Sequence, residues 1–129
     1  MNKHKGSNAE RELLHMFFKN AWAAARIAGS GSTTEAACDL IAGKAGRMGC
    51  AIEVKSSKKS RIYITKAQIE DFIIFSNIFG LRPALAIRFN YQGWLFLDPK
   101  YLEDSGKNWV VSLENAKKNG KRFSQFFEN

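Results

Sequence analysis

Apolar positions near the start of the chain recur at the spacing of an amphipathic helix. Ser7-Asn8-Ala9-Glu10 fits a capping box, in which a serine and a glutamate close the first helical turn. The apolar side chains that follow at helical spacing are Ala9, Leu13, Leu14, Phe17, Phe18 and Ala21. Because this period places them on one face, the pattern predicts a helix over residues 8–21.

Short apolar runs separated by glycine and polar residues predict strands in the next part of the chain. The runs cover residues 23–27, 37–42, 50–56 and 62–64. A basic, glycine-rich turn over residues 43–49 joins the second run to the third, so these two runs predict a hairpin. Residues 28–35 carry two glycines and four hydroxyl side chains, which is typical of a mobile loop.

Helical spacing returns over residues 66–79, with Thr65 as the expected N-cap and Gly80 as the C-terminal glycine. The remaining apolar runs predict strands at 84–89, 93–97 and 109–111 and a short helix at 113–118, before an aromatic tail. This order of elements predicts an α/β fold with a mixed central β-sheet flanked by helices. The chain has 129 residues and no evident linker, so we expect a single domain over residues 1–129.

The helix predicted over residues 66–79 is apolar on two sides. One stripe contains Ile69, Phe72, Ile73 and Phe79, and the other contains Ile74, Phe75 and Ile78. One stripe can face the sheet, while the second needs a further partner. Either a later part of the chain buries it, or two copies of the chain associate through it. In so small a domain a two-fold homodimer is the favoured solution.

Charge adds a second line of inference. Twenty Lys and Arg side chains against 12 Asp and Glu give a net charge of +8, which favours a polyanionic partner such as nucleic acid. A basic protein without such a partner is the alternative.

No apolar run reaches the ~18 residues of a membrane span, and no signal core follows Met1. We therefore expect a cytoplasmic, nucleoid-associated protein with no membrane contact. Cys38 and Cys50 lack metal-ligand spacing and are expected to be buried free thiols, on the sheet face opposite Asp39 and Glu53. A disulfide is the alternative, mainly for a hyperthermophilic source.

Three charged side chains interrupt the predicted hairpin. Asp39 lies in the run 37–42, and Glu53 and Lys55 share one face of the run 50–56 because side chains alternate along a strand. Such residues are costly to half-bury without a use. Two carboxylates can hold Mg²⁺ or Mn²⁺, and a lysine beside them completes a set typical of metal-assisted phosphodiester hydrolysis. The alternatives are a turn cap for Asp39 and a surface ion pair for Glu53 and Lys55.

Basic side chains near these residues are candidates for contacts with DNA phosphates. Taken alone, Glu10 is explained as a helix cap and Arg26 as a surface arginine, while the basic segment 58–61 fits phosphate contacts and a solvated turn equally well. The expected DNA contacts are Arg11, Arg26, Lys44, Arg47, Lys58, Lys59 and Arg61.

Five segments together resemble the archaeal Holliday junction resolvases, members of the PD-(D/E)XK nuclease superfamily. They are residues 6–13, 26–30, 39–43, 52–55 and 75–80, and the resemblance covers residue 6 to about residue 97. It implies a restriction-endonuclease-like fold and a homodimer that cuts two opposed strands of a four-way DNA junction with Mg²⁺. Recombination and replication proteins are compatible partners, although no residue pattern identifies one.

The resemblance also assigns roles to single residues. It implies that Glu10, Asp39, Glu53 and Lys55 are catalytic, that the three acids among them hold the metal, and that Arg26 lies near the scissile phosphate. Ser30 matches the family's loop serine, which is expected to act in catalysis or DNA contact, with Ser32 as the alternative. Phe75 and Phe79 match an aromatic pair on the dimer helix, and Phe72 is expected at the same interface.

The chain departs from the family pattern in three ways. Cys38-Asp39 replaces Pro-Asp, the loop before Asp39 is longer, and Glu35 is an additional acid. The functions that compete with junction resolution are another structure-specific or mismatch endonuclease of the same superfamily and a junction-binding paralogue without catalysis.

Overall fold

A computed structural model of the chain describes residues 3–27 and 37–128, with side chains from residue 8 onward. In chain order the elements are α1 (Lys3–Lys19), β1 (Ala23–Arg26), β2 (Leu40–Gly43), β3 (Cys50–Ser57), β4 (Arg61–Thr65), α2 (Lys66–Phe79), β5 (Arg82–Phe89), β6 (Gly93–Leu97), a 3₁₀ turn (Pro99–Tyr101), β7 (Glu103–Asp104), β8 (Asn108–Ser112), α3 (Leu113–Asn119) and α4 (Phe123–Phe127).

Five of the strands form one mixed sheet in the order β1-β2-β3-β5-β6. Strands β3 and β5 are parallel, with Glu53 opposite Leu85 and Lys55 opposite Ile87, whereas the other neighbours are antiparallel. The predicted mixed central sheet and its β2–β3 hairpin are therefore confirmed. Strand β8 does not join this sheet as an edge strand, because it lies between β4 and β7 in a separate three-stranded sheet.

Both faces of the central sheet are covered. Helices α1 and α4 bury Leu13, Phe17 and Phe127 against one face. Helix α2, the small sheet and α3 cover the other face, where Ile69, Phe72 and Val111 lie in a second apolar cluster. A strand that is buried on both faces has a continuous apolar run in its sequence, and β5 has such a run from Ala84 to Ile87. Within the described ranges, no helix combines the length and apolar character that a bilayer crossing requires.

Helix α1 differs from its prediction at both ends. It begins at Lys3 rather than at residue 8, so the expected capping box at Ser7 and Glu10 is wrong and Glu10 lies well inside the helix. The helix ends at Lys19, and Ala21 takes a left-handed conformation with φ of 63°. The Trp22 N–H donates to the Phe17 carbonyl at 2.9 Å, which closes the helix end.

Helix α2 confirms its predicted caps. The Thr65 hydroxyl accepts a hydrogen bond from the Gln68 N–H, and Gly80 follows the helix with φ of 82°. The inner face carries Ile69, Phe72 and Ser76.

Phe72 is 0% exposed, so its expected place at a dimer interface is wrong. Its position on α2, three residues after Ile69, turns it into the core. Phe79 was expected on the same stripe as Phe72 but is 57% exposed, because it is the last residue of the helix. Its ring lies 5.5 Å from that of Phe75.

The aromatic tail is part of the core. Residues 123–127 form α4, a helix that the sequence pattern did not predict, and Phe123 and Phe127 are buried beside Phe17 and Trp22. Trp94, which is 5% exposed, also packs in the core.

The two cysteines are buried free thiols, as predicted, but they lie on opposite sides of the sheet. Cys50 faces α1. Cys38 lies in the cluster on the α2 side, so its predicted orientation is wrong. Strand β2 begins at Leu40 rather than at residue 37, and strand alternation therefore does not extend to Cys38.

Candidate active site

Asp39 stands immediately before β2, between the end of β1 and the middle of β3. Its backbone carbonyl accepts from the Ile27 N–H at 2.9 Å, and its own N–H donates to the Ile52 carbonyl at 3.1 Å. The side-chain oxygen Oδ2 accepts from the Val54 N–H at 2.8 Å. Two backbone bonds therefore hold the residue between the strands, and the third fixes its carboxylate against the residue that separates Glu53 from Lys55.

Glu53 is the buried acid of the site. It lies in β3 between two neighbouring strands and is 4% exposed. Its oxygen Oε2 accepts a hydrogen bond from Gln68 Nε2 at 2.8 Å, and Gln68 lies in the first turn of α2. Helix α2 thus contributes to the site through its N-terminal end.

Burial and mutual repulsion disfavour the charged forms of both acids. Burial, and after it the negative charge of Asp39, raises the pKa of Glu53 to about 8. Burial also raises the pKa of Asp39, and the charge of Glu10 acts in the same direction. The Lys55 ammonium favours the charged form of each acid and offsets part of both pKa increases. A cation between the carboxylates would relieve this repulsion.

Glu10 reaches the same site from α1. Its oxygen Oε1 lies 3.2 Å from Arg26 Nε, at the end of β1, and the charges of both residues act on Asp39. The structure therefore brings together the four predicted catalytic residues and Arg26, namely Glu10, Arg26, Asp39, Glu53 and Lys55. Ser30, its alternative Ser32 and the additional acid Glu35 lie outside the described residues.

Comparisons with known proteins identify the family. Residues 1–128 match the family model described as archaeal Holliday junction resolvase (Hjc). The chain belongs to the archaeal Holliday junction resolvase family. A crossover junction endodeoxyribonuclease Hjc from Methanocaldococcus jannaschii is 45% identical over 107 residues, which cover 83% of this chain and 75% of the relative.

Other resolvases extend the match. The corresponding Hjc from Archaeoglobus fulgidus is 34% identical and covers 97% of this chain and 96% of its own. A crossover junction endodeoxyribonuclease Hje from Saccharolobus solfataricus is 30% identical over 90% of this chain and 84% of its own. The solved structure of Archaeoglobus fulgidus Hjc, described as a Holliday junction resolvase from an archaeal hyperthermophile, superposes with a TM-score of 0.84. In that superposition the identity is 31%, over 90% of this chain and 93% of the other.

Six of the seven predicted DNA contacts of this resolvase-family chain fall into two groups, and the seventh, Arg26, lies in the site beside Glu10. Lys58 and Lys59 lie on the exposed β3–β4 connection, Arg61 is the exposed first residue of β4, and Arg11 is exposed on α1. Within the described part of the chain, none of these four cations is paired with a carboxylate.

The second group lies at the opposite end of β2 from Asp39. Lys44 and Arg47 are 3.6 Å and 3.7 Å from the Glu128 carboxylate. Arg47 also donates to the Phe127 carbonyl at 3.3 Å. These two cations are engaged within the chain, and their contact with DNA stays a prediction.

The sequence patterns did not identify two residues in or near the active site, Gln68 and Arg88. Gln68 occupies a Thr-x-x-Gln arrangement, whose local explanation is a helix cap, so nothing in the sequence pointed to Glu53. Arg88 lines a groove of about 260 Å³ at the end of β3, together with Ser56, Ser57, Lys58, Phe89, Asn90, Tyr91 and Gly93. Its guanidinium pairs with Glu12 at 2.7 Å, and its position in a buried strand gave no signal of a surface role.

Proposed function

We propose that the chain, as a single nuclease domain over residues 1–129, resolves four-way DNA junctions by hydrolysing phosphodiester bonds in two opposed strands. The observation that carries this proposal is the pair of carboxylates on Asp39 and Glu53, held beside Lys55 in a member of the resolvase family. The relatives are crossover junction endodeoxyribonucleases, which is the same reaction class.

Hard oxygen donors of this kind fit a divalent cation, Mg²⁺ with Mn²⁺ as a substitute. Among the described residues no three acid, histidine or cysteine side chains lie close enough to hold one metal ion together, because Glu10 is bound to Arg26. Asp39 and Glu53 would therefore hold the ion with water as the remaining ligand. Glu10 would join them once its oxygen leaves Arg26. A cation held there would polarise the scissile phosphate and stabilise negative charge as it develops.

The basic residues of the site have complementary tasks in this proposal. Lys55 donates to the attacking water or to a phosphate oxygen, and its charge offsets that of the transition state. Arg26, now bound to Glu10, has a guanidinium that can bind the scissile phosphate through two parallel hydrogen bonds. Ser30, or Ser32 in its place, would contact the substrate from the loop before Asp39.

Recognition of the junction would rest on shape. The unpaired cations Arg11, Lys58, Lys59 and Arg61 would bind backbone phosphates, which carry little sequence information.

We propose that two copies of the chain associate through the outer face of α2, defined by Ile74, Phe75, Ile78 and Phe79. Ile78 is 82% exposed and Phe79 is 57% exposed, an apolar surface that a two-fold contact would cover. Such a dimer presents two sites at a fixed separation.

The deciding experiment is cleavage of a substrate panel in Mg²⁺ and in EDTA, with a four-way junction, a flap, a mismatch and a linear duplex. We expect paired, symmetric nicks in the junction that require the metal. Glu53→Gln should abolish cleavage and leave junction binding intact, whereas Glu114→Gln, an exposed acid on α3, should cleave normally. Cleavage confined to the mismatch or the flap would favour another nuclease of the superfamily. Junction binding without any metal-dependent cleavage would favour a non-catalytic paralogue.

A further inference from the structure

Gln68 connects the first turn of α2 to the buried acid of the site. Its backbone N–H donates to the Thr65 hydroxyl at 3.1 Å, which fixes the residue within the cap of the helix. Its side-chain amide then spans to β3 and donates to Glu53 Oε2 at 2.8 Å. Within residues 8–27 and 37–128, Gln68 is the one side chain that donates a hydrogen bond to Glu53.

The local sequence does not require this contact. In a Thr-x-x-Gln capping box the glutamine side chain usually turns back toward the N–H of the capping residue. Here Thr65 is also the last residue of β4, where it pairs with Asn108 of β8. The Gln68 amide reaches across to the sheet and binds a carboxylate.

We infer that Gln68 is a positioning residue for Glu53: its amide holds oxygen Oε2 and leaves oxygen Oε1 to bind the divalent cation shared with Asp39. This inference rests on the proposed function and adds to it the group that fixes the orientation of one metal ligand. A glutamine suits the task because its amide donates a hydrogen bond without carrying a positive charge, so it does not compete electrostatically with the cation.

Outer hydrogen-bond partners of this kind commonly change metal affinity by about 10–100-fold when they are removed. Two substitutions remove the contact in different ways. Gln68→Leu keeps the approximate size and helix propensity of the side chain but has no donor. Gln68→Asn keeps the amide but is shorter by one methylene, so its nitrogen falls short of Glu53.

The primary measurement is Mn²⁺ binding to the DNA-free chain, followed by electron paramagnetic resonance of the free ion. We expect the dissociation constant to rise about 10-fold in both Gln68 variants. In junction cleavage, the Mg²⁺ concentration for half-maximal rate should rise by a similar factor, while the rate at saturating Mg²⁺ falls much less. Junction binding in EDTA should not change. The matched control is Gln125→Leu, the same chemical change at an exposed position of α4.

A merely structural role would lower the thermal midpoint without changing the Mn²⁺ constant of the folded protein. An unchanged Mn²⁺ constant in either folded variant overturns the inference, and the proposed function then stands without it. Asp39→Asn separates the two possibilities. If wild-type Mn²⁺ binding does not depend on Asp39, the metal site itself is absent and the proposed function fails together with the inference.

Discussion

The carboxylate of Asp39 accepts a hydrogen bond from the backbone N–H of Val54 at 2.8 Å. Val54 separates Glu53 from Lys55, so this bond sets the position of one acid relative to the strand that carries the other two charged side chains. It also links the segment before β2 to β3 through a contact that strand pairing alone does not supply. A substitution at Asp39 therefore changes both the charge of the site and the anchoring of this segment.

The pKa of Glu53 predicts how stability depends on pH in the metal-free chain. Burial and then the charge of Asp39 raise it from 4.5 to about 8, so the folded state binds a proton that the unfolded state releases. The stability that this proton contributes is present below pH 4.5 and is lost as pH rises through 8. We expect wild type in EDTA to lose more unfolding free energy than Glu53→Gln between pH 5.5 and 8.5, by on the order of 1–3 kcal/mol. Urea unfolding at several pH values measures the difference, and parallel pH profiles would contradict the prediction.

The ends of α1 and α2 predict a reciprocal pair of substitutions. Ala21 and Gly80 follow their helices with φ of 63° and 82°, a conformation that favours glycine over alanine. Ala21→Gly should raise the free energy of unfolding by up to about 1 kcal/mol, and Gly80→Ala should lower it by about 1 kcal/mol. A Cβ at Gly80 would meet nothing within 4 Å, so the backbone conformation alone decides the second effect. Denaturant midpoints of the two variants should move in opposite directions.

Glu12 connects α1 to the central sheet through two side chains. Its carboxylate accepts from Trp94 Nε1 at 2.8 Å and pairs with Arg88 at 2.7 Å. Glu12→Ala leaves the indole N–H of a buried tryptophan without this acceptor and should cost about 1–3 kcal/mol. Glu12→Gln keeps an acceptor for Trp94 and should cost less. Combined with Trp94→Phe, the Glu12→Ala change should cost less than it does in wild type, because the orphaned donor is gone. Full additivity would show that the indole bond contributes nothing.

Association through the outer face of α2 predicts that a charge there separates the two copies. Ile78→Glu places a carboxylate on the most exposed apolar side chain of this face. We expect the variant to sediment as a monomer at micromolar concentration, where wild type sediments as a dimer. Met48→Glu is the matched control, since Met48 is 63% exposed but lies on the β2–β3 turn. Equal effects of both variants would argue against α2 as the contact.

The basic residues should differ in their effect on the salt dependence of junction binding. Lys58, Lys59 and Arg61 are exposed, and in the part of the chain that is described they pair with no carboxylate. Replacing one of them by alanine should reduce the slope of log K against log salt by about 0.9, the value for one lost phosphate contact. Lys44→Ala should leave the slope unchanged if Glu128 holds this side chain in the complex as it does in the free chain. Fluorescence anisotropy at four or five salt concentrations distinguishes the two groups.

Local patterns in the sequence determined the elements whose signals lie within a few residues. The caps of α2 at Thr65 and Gly80, the β2–β3 hairpin and the sharing of one strand face by Glu53 and Lys55 all follow from short-range geometry. The start of α1 was predicted wrongly, because Ser7 and Glu10 satisfy a capping pattern at a place where the helix in fact continues.

Only the tertiary structure decided which of these residues meet. The contact of Gln68 with Glu53 spans 15 positions in the chain, and that of Arg26 with Glu10 spans 16. The burial of Phe72 and the packing of α4 likewise depend on which surfaces the sheet offers, and the engagement of Lys44 by Glu128 depends on where the chain end returns. Periodicity and capping are set by neighbours along the chain, whereas a hydrogen bond between distant segments exists only once the intervening chain has folded and its entropy cost has been met.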